Sequence, residues 1–343
     1  MLRITTSHSA EAAKNYFDVA LKTSDYYTKD GGIWGGKGAE ILGLKGDVER
    51  KDFVALANNR WPKANGKRLT ARMNKTRLED VTDRRTGLPV IDRQTGTVKK
   101  REVSNRRAGY DFTFSAPKSV SLCLAVNEDE VVEQMITEAV DETMAAIESR
   151  METKVRKGYQ QDNRLSPNMV YAKFIHRETR PVDGIPDPHY HIHVFAMNAT
   201  FDEVEKGWKA LEVGNTVGDR TFYEAHFHHL LAAKVEAAGY GIRRTEHHFE
   251  FSSVSRELVE KFSRRTKLIE QRARDKYTVL EAEARALMKS TNMAFDDAFA
   301  LIVADIGGDW DKWKSELGAR DRESKSSAKY EAGKSYRRIG RVR

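Results

Sequence analysis

A single cysteine, Cys123, serves all 343 residues, which excludes an internal disulfide and suits a reducing cytoplasm. No apolar run approaches the roughly 20 residues that a bilayer-spanning helix needs. The opening MLRITTSHSAEAA also lacks the apolar block of a secretory signal. The expectation is a soluble, cytoplasmic chain without a membrane segment. One nucleotide-binding signature is present but incomplete. GGIWGGKG fits G-x-x-x-x-G-K from Gly31 to Lys37, yet Gly38 stands where Ser or Thr would hold magnesium, so it reads as a glycine-rich loop and no ATPase is expected. The chain is long enough for one large or two small domains, with a core that requires no staples.

Acidic residues are scarce in two tracts. From Arg60 to Arg107, 15 Lys/Arg face 5 Asp/Glu, and in residues 319–343, 9 face 3. With a whole-chain charge of +8, these blocks of +10 and +6 leave the remainder at −8. Charge blocked in this way favours a polyanion along defined surfaces, with nucleic acid the leading candidate.

Along the chain, LRITT alternates as a strand, and Ser9 is placed to cap a helix whose Ala12, Ala13, Tyr16, Phe17, Ala20 and Leu21 share one face. The segment TDRRTGLPVIDRQTGTVKKREVSNRR carries RTG and QTG, turn chemistry between short strands. GYDFTFSAPKSVS alternates, with Tyr110, Phe112 and Phe114 on one face and Asp111, Thr113 and Ser115 on the other. NEDEVVEQMITEAVDETMAAIESRMETKVRK reads as one long amphipathic helix. NMVYAKFIHRE and HYHIHVFAMNATF are strands joined by TRPVDGIPDP, DRTFYEAHFHHLLAAKVEAAGYGI is helical up to its glycine, and HHFEFSSV is a further strand. From Ser255 onward the pattern is helical until ARDRESKSSAKYEAGKSYRRIGRVR, which lacks apolar periodicity. Strands and helices without regular βαβ alternation predict an α+β fold, a central antiparallel sheet with helices packed on it.

Four of the ten histidines fall in HRETRPVDGIPDPHYHIHVFAMN. In a strand His189, His191 and His193 share one face while Tyr190, Ile192 and Val194 take the other. A hairpin-like return would bring His176, at the end of the preceding strand, beside that row. Imidazoles converging on one point suit a divalent metal with positions left open for substrate. His189 shares the face but lies one step further along, and is not counted as a ligand. His226, His228, His229, His247 and His248 are read as structural.

Taken together, the ordered segments KNYFDVALKTSDYYTKDG, WGGKGAEILGL, GYDFTFSAPKSVS, FIHRETR with DPHYHIHVFAMN, and FSRRT resemble the relaxase domain of the MobF family, the TrwC/TraI-like conjugative relaxases of the histidine-triad HUH endonuclease class. The resemblance covers roughly residues 1–270. It implies an HUH relaxase palm over residues 1–270, a helical fingers-like extension over 271–318 and a basic, disordered tail over 319–343. It places the metal triad on His176, His191 and His193, an aspartate on Asp111, and nucleophilic tyrosines on Tyr16 and on Tyr26 with Tyr27. Members often carry a Tyr-Tyr pair where this chain has Tyr16-Phe17, so only Tyr16 can serve there. The loop between the first two histidines and the tract from Thr82 to Arg107 are also longer than is usual for the family.

The implied activity is metal-dependent nicking of one DNA strand at an origin of transfer, with a 5′-phosphotyrosyl intermediate and religation by reversal. Arg180 and Lys118 are candidate phosphate contacts, each equally readable as a surface ion pair. Family habit favours magnesium or manganese as the one divalent ion, while imidazole ligands intrinsically favour zinc or nickel. Implied partners are single-stranded DNA at the origin, relaxosome accessory proteins and a type IV secretion coupling protein, with translocation to a recipient cell alongside DNA. A rolling-circle initiator has related chemistry but usually a histidine pair followed by its tyrosine. A noncatalytic single-strand-binding module leaves the histidines idle, and a metal hydrolase of small molecules leaves the basic tracts unexplained.

Overall fold

The computed structural model describes residues 1–14, 31–62, 66–71, 76–82, 88–92, 95–104, 106–157, 160–179, 181–291 and 293–305. Its centre is a five-stranded antiparallel sheet, whose strands we label β1 (Leu2–Ser7), β2 (Ile33–Gly35), β3 (Gly109–Ser115), β4 (Tyr171–Glu178) and β5 (Pro188–Met197). Their spatial order is β1-β3-β5-β4-β2. The α+β class expected from the sequence is the class observed.

Strand alternation sorts side chains to two cores. On one face Tyr110, Phe112 and Phe114 of β3 and Tyr190, Ile192 and Val194 of β5 pack with Val120, Ile136 and Phe227, drawn from the helices Lys118–Asn127, Glu130–Ser149 and Arg220–Ala237. On the other, Ala172, Phe174, Phe195 and Met197 pack with Trp34, Phe53 and Leu56, the last two from the helix Arg50–Ala57. Of the three inner strands, β4 and β5 are therefore apolar on both sides over part of their length, as burial within a two-layered cover demands.

Local chemistry sets several element ends. Ser9 Oγ accepts from the Ala12 amide at 3.0 Å, so it caps the first helix. Asp129 caps Glu130–Ser149 by accepting from Val131 and Val132, with Glu130 and Glu133 in the positive first turn. Beyond Ser149 the expected long helix does not continue. Glu152–Lys157 instead pairs with Gln160–Leu165 on one side and Leu211–Glu212 on the other. That stretch is amphipathic at either period, and cross-strand hydrogen bonds to the adjacent Gln160–Leu165 and the distant Leu211–Glu212 decide it. The Lys118–Asn127 helix, directly after β3, was not anticipated. GGIWGGKG contains edge strand β2 and opens a five-residue helix, Lys37–Ile41, more structure than a plain loop.

Contacts divide the chain into two compact units, Met1–Arg77 with Glu102–Phe262, and Leu78–Arg101 with Ser263–Arg343. Described parts of the second include bridges Thr82 to Pro89 and Ile91 to Val98, and the helices Arg264–Thr291 and Phe295–Asp305, whose Leu280, Ala284, Ala298 and Phe299 are buried. Among the described residues no helix is long and apolar enough to cross a membrane.

Candidate metal centre

The β4–β5 hairpin brings the histidines together. Asp183 and Gly184, both at positive φ (52° and 78°), form a two-residue turn closed by reciprocal Val182 and Ile185 backbone bonds of 3.0 Å. Asp-Gly meets that requirement, because its backbone twist suits antiparallel strands. The resulting register sets His176 opposite His191 and Phe174 opposite His193, with an irregularity between His176 and Glu178. His176, His191 and His193 each offer one ring nitrogen, and these atoms lie within 4.8 Å of one another. Ring centroids are 5.2 Å apart for His176 and His191, 4.9 Å for His176 and His193, and 5.0 Å for His191 and His193.

Hydrogen bonds settle two of the three tautomers. His191 Nδ1 meets the His189 carbonyl at 2.8 Å, and His193 Nδ1 meets Asp111 Oδ2 at 2.9 Å and Oδ1 at 3.0 Å. A carbonyl and a carboxylate only accept, so each Nδ1 carries the proton and each Nε2 keeps its lone pair. Thr113 adds a third member. It stands opposite His193 across the β3–β5 ladder, its hydroxyl donates to Asp111 Oδ2 at 3.2 Å, and its Oγ1 lies 3.2 Å from His193 Nδ1. A carboxylate and hydroxyl behind a ligating imidazole are the usual supports that fix its orientation and basicity.

Burial holds His191 neutral, and the cost of adding a further charge beside the His189 and His193 rings works the same way, so its pKa falls to about 2. A neutral ring is the ligating form. Three half-buried imidazoles, two of them with the lone pair already fixed at Nε2, therefore fit a divalent transition metal or a harder cation completed by water and phosphate oxygens.

His189 lies outside the converging set. Its ring stacks on His191 at 4.9 Å and its carbonyl supplies the acceptor. Asp111 is buried at 9% exposure beneath His193. Lys118 donates to the Pro188 carbonyl at 2.7 Å, tying the start of its helix to the start of β5. Tyr16, Tyr26, Tyr27 and Arg180 lie outside the described residues. His228 is buried in the opposite core, with its Nε2 2.9 Å from the Met1 amine. Sequence reading missed the role of Thr113, although alternation had set it on the Asp111 face; the carbonyl of His189 leaves no trace in side-chain identity.

Comparison with known proteins completes the description. The family described as TrwC relaxase matches residues 10–300. Two curated relatives, both multifunctional conjugation protein TraI, from Escherichia coli and from Escherichia coli strain K12, are 29% and 28% identical over 300 residues. Those matches take in 84% of this chain and 15% of each relative, so the chain spans about a seventh of their length. Among solved structures, conjugative relaxase TrwC in complex with oriT DNA is similar in a metal-bound form (24% identity, TM-score 0.61) and a copper-bound form (26%, 0.61). Each likeness covers 93% of this chain and 99% of that one. With a profile match across most of its length, the chain belongs to the TrwC relaxase family.

Proposed function

We propose that the chain is the relaxase portion of a conjugation protein, a metal-dependent nickase and strand transferase for one DNA strand at an origin of transfer. The observation that carries this reading is three imidazole nitrogens within 4.8 Å of one another in a chain of the TrwC relaxase family. The oriT DNA in the TrwC complexes supports origin-of-transfer DNA as the substrate, which this reading takes as a single strand. Within this reading residues 1–270 are the palm, 271–318 a fingers-like extension and 319–343 a basic tail.

A divalent ion held by His176, His191 and His193 would supply charge neutralisation at the scissile phosphate. Magnesium or manganese is favoured by availability, zinc or nickel by imidazole affinity. The Tyr16 hydroxyl oxygen forms the new bond to phosphorus while the bond to the 3′ oxygen breaks. The tyrosyl proton is given up and the 3′ oxygen gains one, leaving a 5′-phosphotyrosyl link and a free 3′-hydroxyl. One phosphodiester replaces another, so resealing needs no nucleotide triphosphate. Asp111 keeps His193 oriented, and Tyr26 and Tyr27 serve a second transfer. Lys118 and Arg180 contact phosphates. Accessory proteins of a relaxosome and a coupling protein of a type IV secretion system are the partners, in a bacterial cytoplasm.

The test incubates the protein with labelled single-stranded oligonucleotides tiling the DNA around its own coding sequence, then resolves products on a denaturing gel. One oligonucleotide should become protein-linked with manganese and not with chelator, and Tyr16→Phe should lose most of that adduct. A full adduct in Tyr16→Phe moves the nucleophile to Tyr26 or Tyr27. Cleavage without protein-bound DNA makes the chain a hydrolase, and binding without cleavage makes it a noncatalytic module.

A further inference from the structure

Arg3 stands on the same sheet face as the histidines, two strands away. Leu2 is fully buried in the helix-covered core and Ile4 packs against it, so alternation turns Arg3 and Thr5 to the opposite face. Arg3 is directly opposite Thr113, and Thr113 directly opposite His193. Two strand spacings, roughly 9.5 Å, therefore separate the Arg3 and His193 backbones, a gap that an extended arginine largely spans.

The surroundings suit an anion. Arg3 is exposed, and none of the ion pairs among the described residues engages it. The neighbouring side chains of β1 and β3 on this face are the hydroxyls of Thr5, Ser7, Thr113 and Ser115 together with Asp111, whose carboxylate already accepts from His193. A guanidinium is weakly hydrated and presents its donors in a planar fork that matches two phosphate oxygens.

We propose that Arg3 is a DNA-phosphate contact, holding the strand one phosphate away from the linkage presented to His176, His191 and His193. The assignment rests on the nickase reading and extends it to a residue that no motif singled out. A competing role is an edge-strand charge that only discourages strand addition by another chain.

Fluorescence anisotropy with a fluorescein-labelled single-stranded oligonucleotide of mixed sequence, titrated at several salt concentrations between about 50 and 200 mM, separates the two. Arg3→Gln should weaken binding and make the log affinity against log salt line shallower by about 0.7, the share of one phosphate contact on a single strand. Arg3→Lys should keep the wild-type slope, because the charge remains. Lys206→Gln, an exposed control paired with Glu203 on another hairpin, should also keep it. An unchanged slope in Arg3→Gln, or an equal loss in Lys206→Gln, overturns the proposal. A wild-type protein that shows the predicted slopes yet never becomes linked to DNA would instead remove the nickase reading and leave Arg3 as a phosphate contact.

Discussion

Asp111 and His193 divide the labour of one candidate ligand. The carboxylate accepts at Nδ1, so the lone pair that a cation needs is left at Nε2, and the Thr113 hydroxyl steadies the carboxylate from beside it. Asp111→Asn replaces that acceptor with an amide of no charge, and divalent affinity should fall about 10- to 100-fold. Thr113→Val keeps the shape and removes the hydroxyl, so its loss should be smaller, with Thr113→Ser close to wild type. Cobalt titration followed by its visible absorption reads all three without any DNA. Equal affinity in wild type and Asp111→Asn would mean that the carboxylate does not support the ligand. Asp111 was legible as a candidate through resemblance, and His176, His191 and His193 through spacing. The support from Thr113 was not, because an i, i+2 Asp-x-Thr on a strand is commonplace until the partner strand sets His193 opposite it.

Glycines show how elements are held at two different costs. Gly184 sits at φ 78° in the hairpin turn, and a Cβ there would meet nothing within 4 Å. Gly184→Ala should therefore cost only the left-handed backbone, about 1 kcal/mol. Gly36, at φ 88° between β2 and the Lys37–Ile41 helix, would put its Cβ 2.3 Å from the Met169 carbonyl oxygen. Gly36→Ala should add a backbone clash and cost about 3 kcal/mol or more. Denaturant unfolding of both variants checks the order; a reversed order would show that the β2 turn tolerates displacement. The hairpin-like return was readable from the loop as a whole, whereas its closure at Asp183-Gly184 came from the structure, where both residues take positive φ. The end of the long helix at Ser149 was not readable, since Glu152–Lys157 carries no breaker and is claimed by a hairpin with the adjacent Gln160–Leu165 and by the distant Leu211–Glu212.

At the scale of the whole molecule, burying imidazoles on both sides of the sheet ties stability to pH. His228 in one core is pushed down to about 2, first by burial, then by the Met1 amine and His248, and His191 on the other face likewise reaches about 2. Unfolded imidazoles take up protons below about pH 6.5 while these two stay neutral, so the unfolded state binds more protons and stability falls as pH is lowered from there. Each contributes a loss of about 2 kcal/mol between pH 7 and pH 5. His228→Gln, away from the candidate metal centre, should remove one such share. Urea midpoints at the two pH values measure it, and an identical pH dependence in the variant would place the acid sensitivity elsewhere.

The amino-acid order alone determined the alternation of β3, β4 and β5, the turn between the last two, and hence that His191 and His193 share a face. It also determined the basic blocks, because charge and strand period are local properties. Only the tertiary structure decided that His176 lies opposite His191, that Asp111 and Thr113 stand behind His193, and that Arg3 joins their row. Those placements depend on the order in which strands associate, a choice made by burying two apolar faces at once rather than by any single segment.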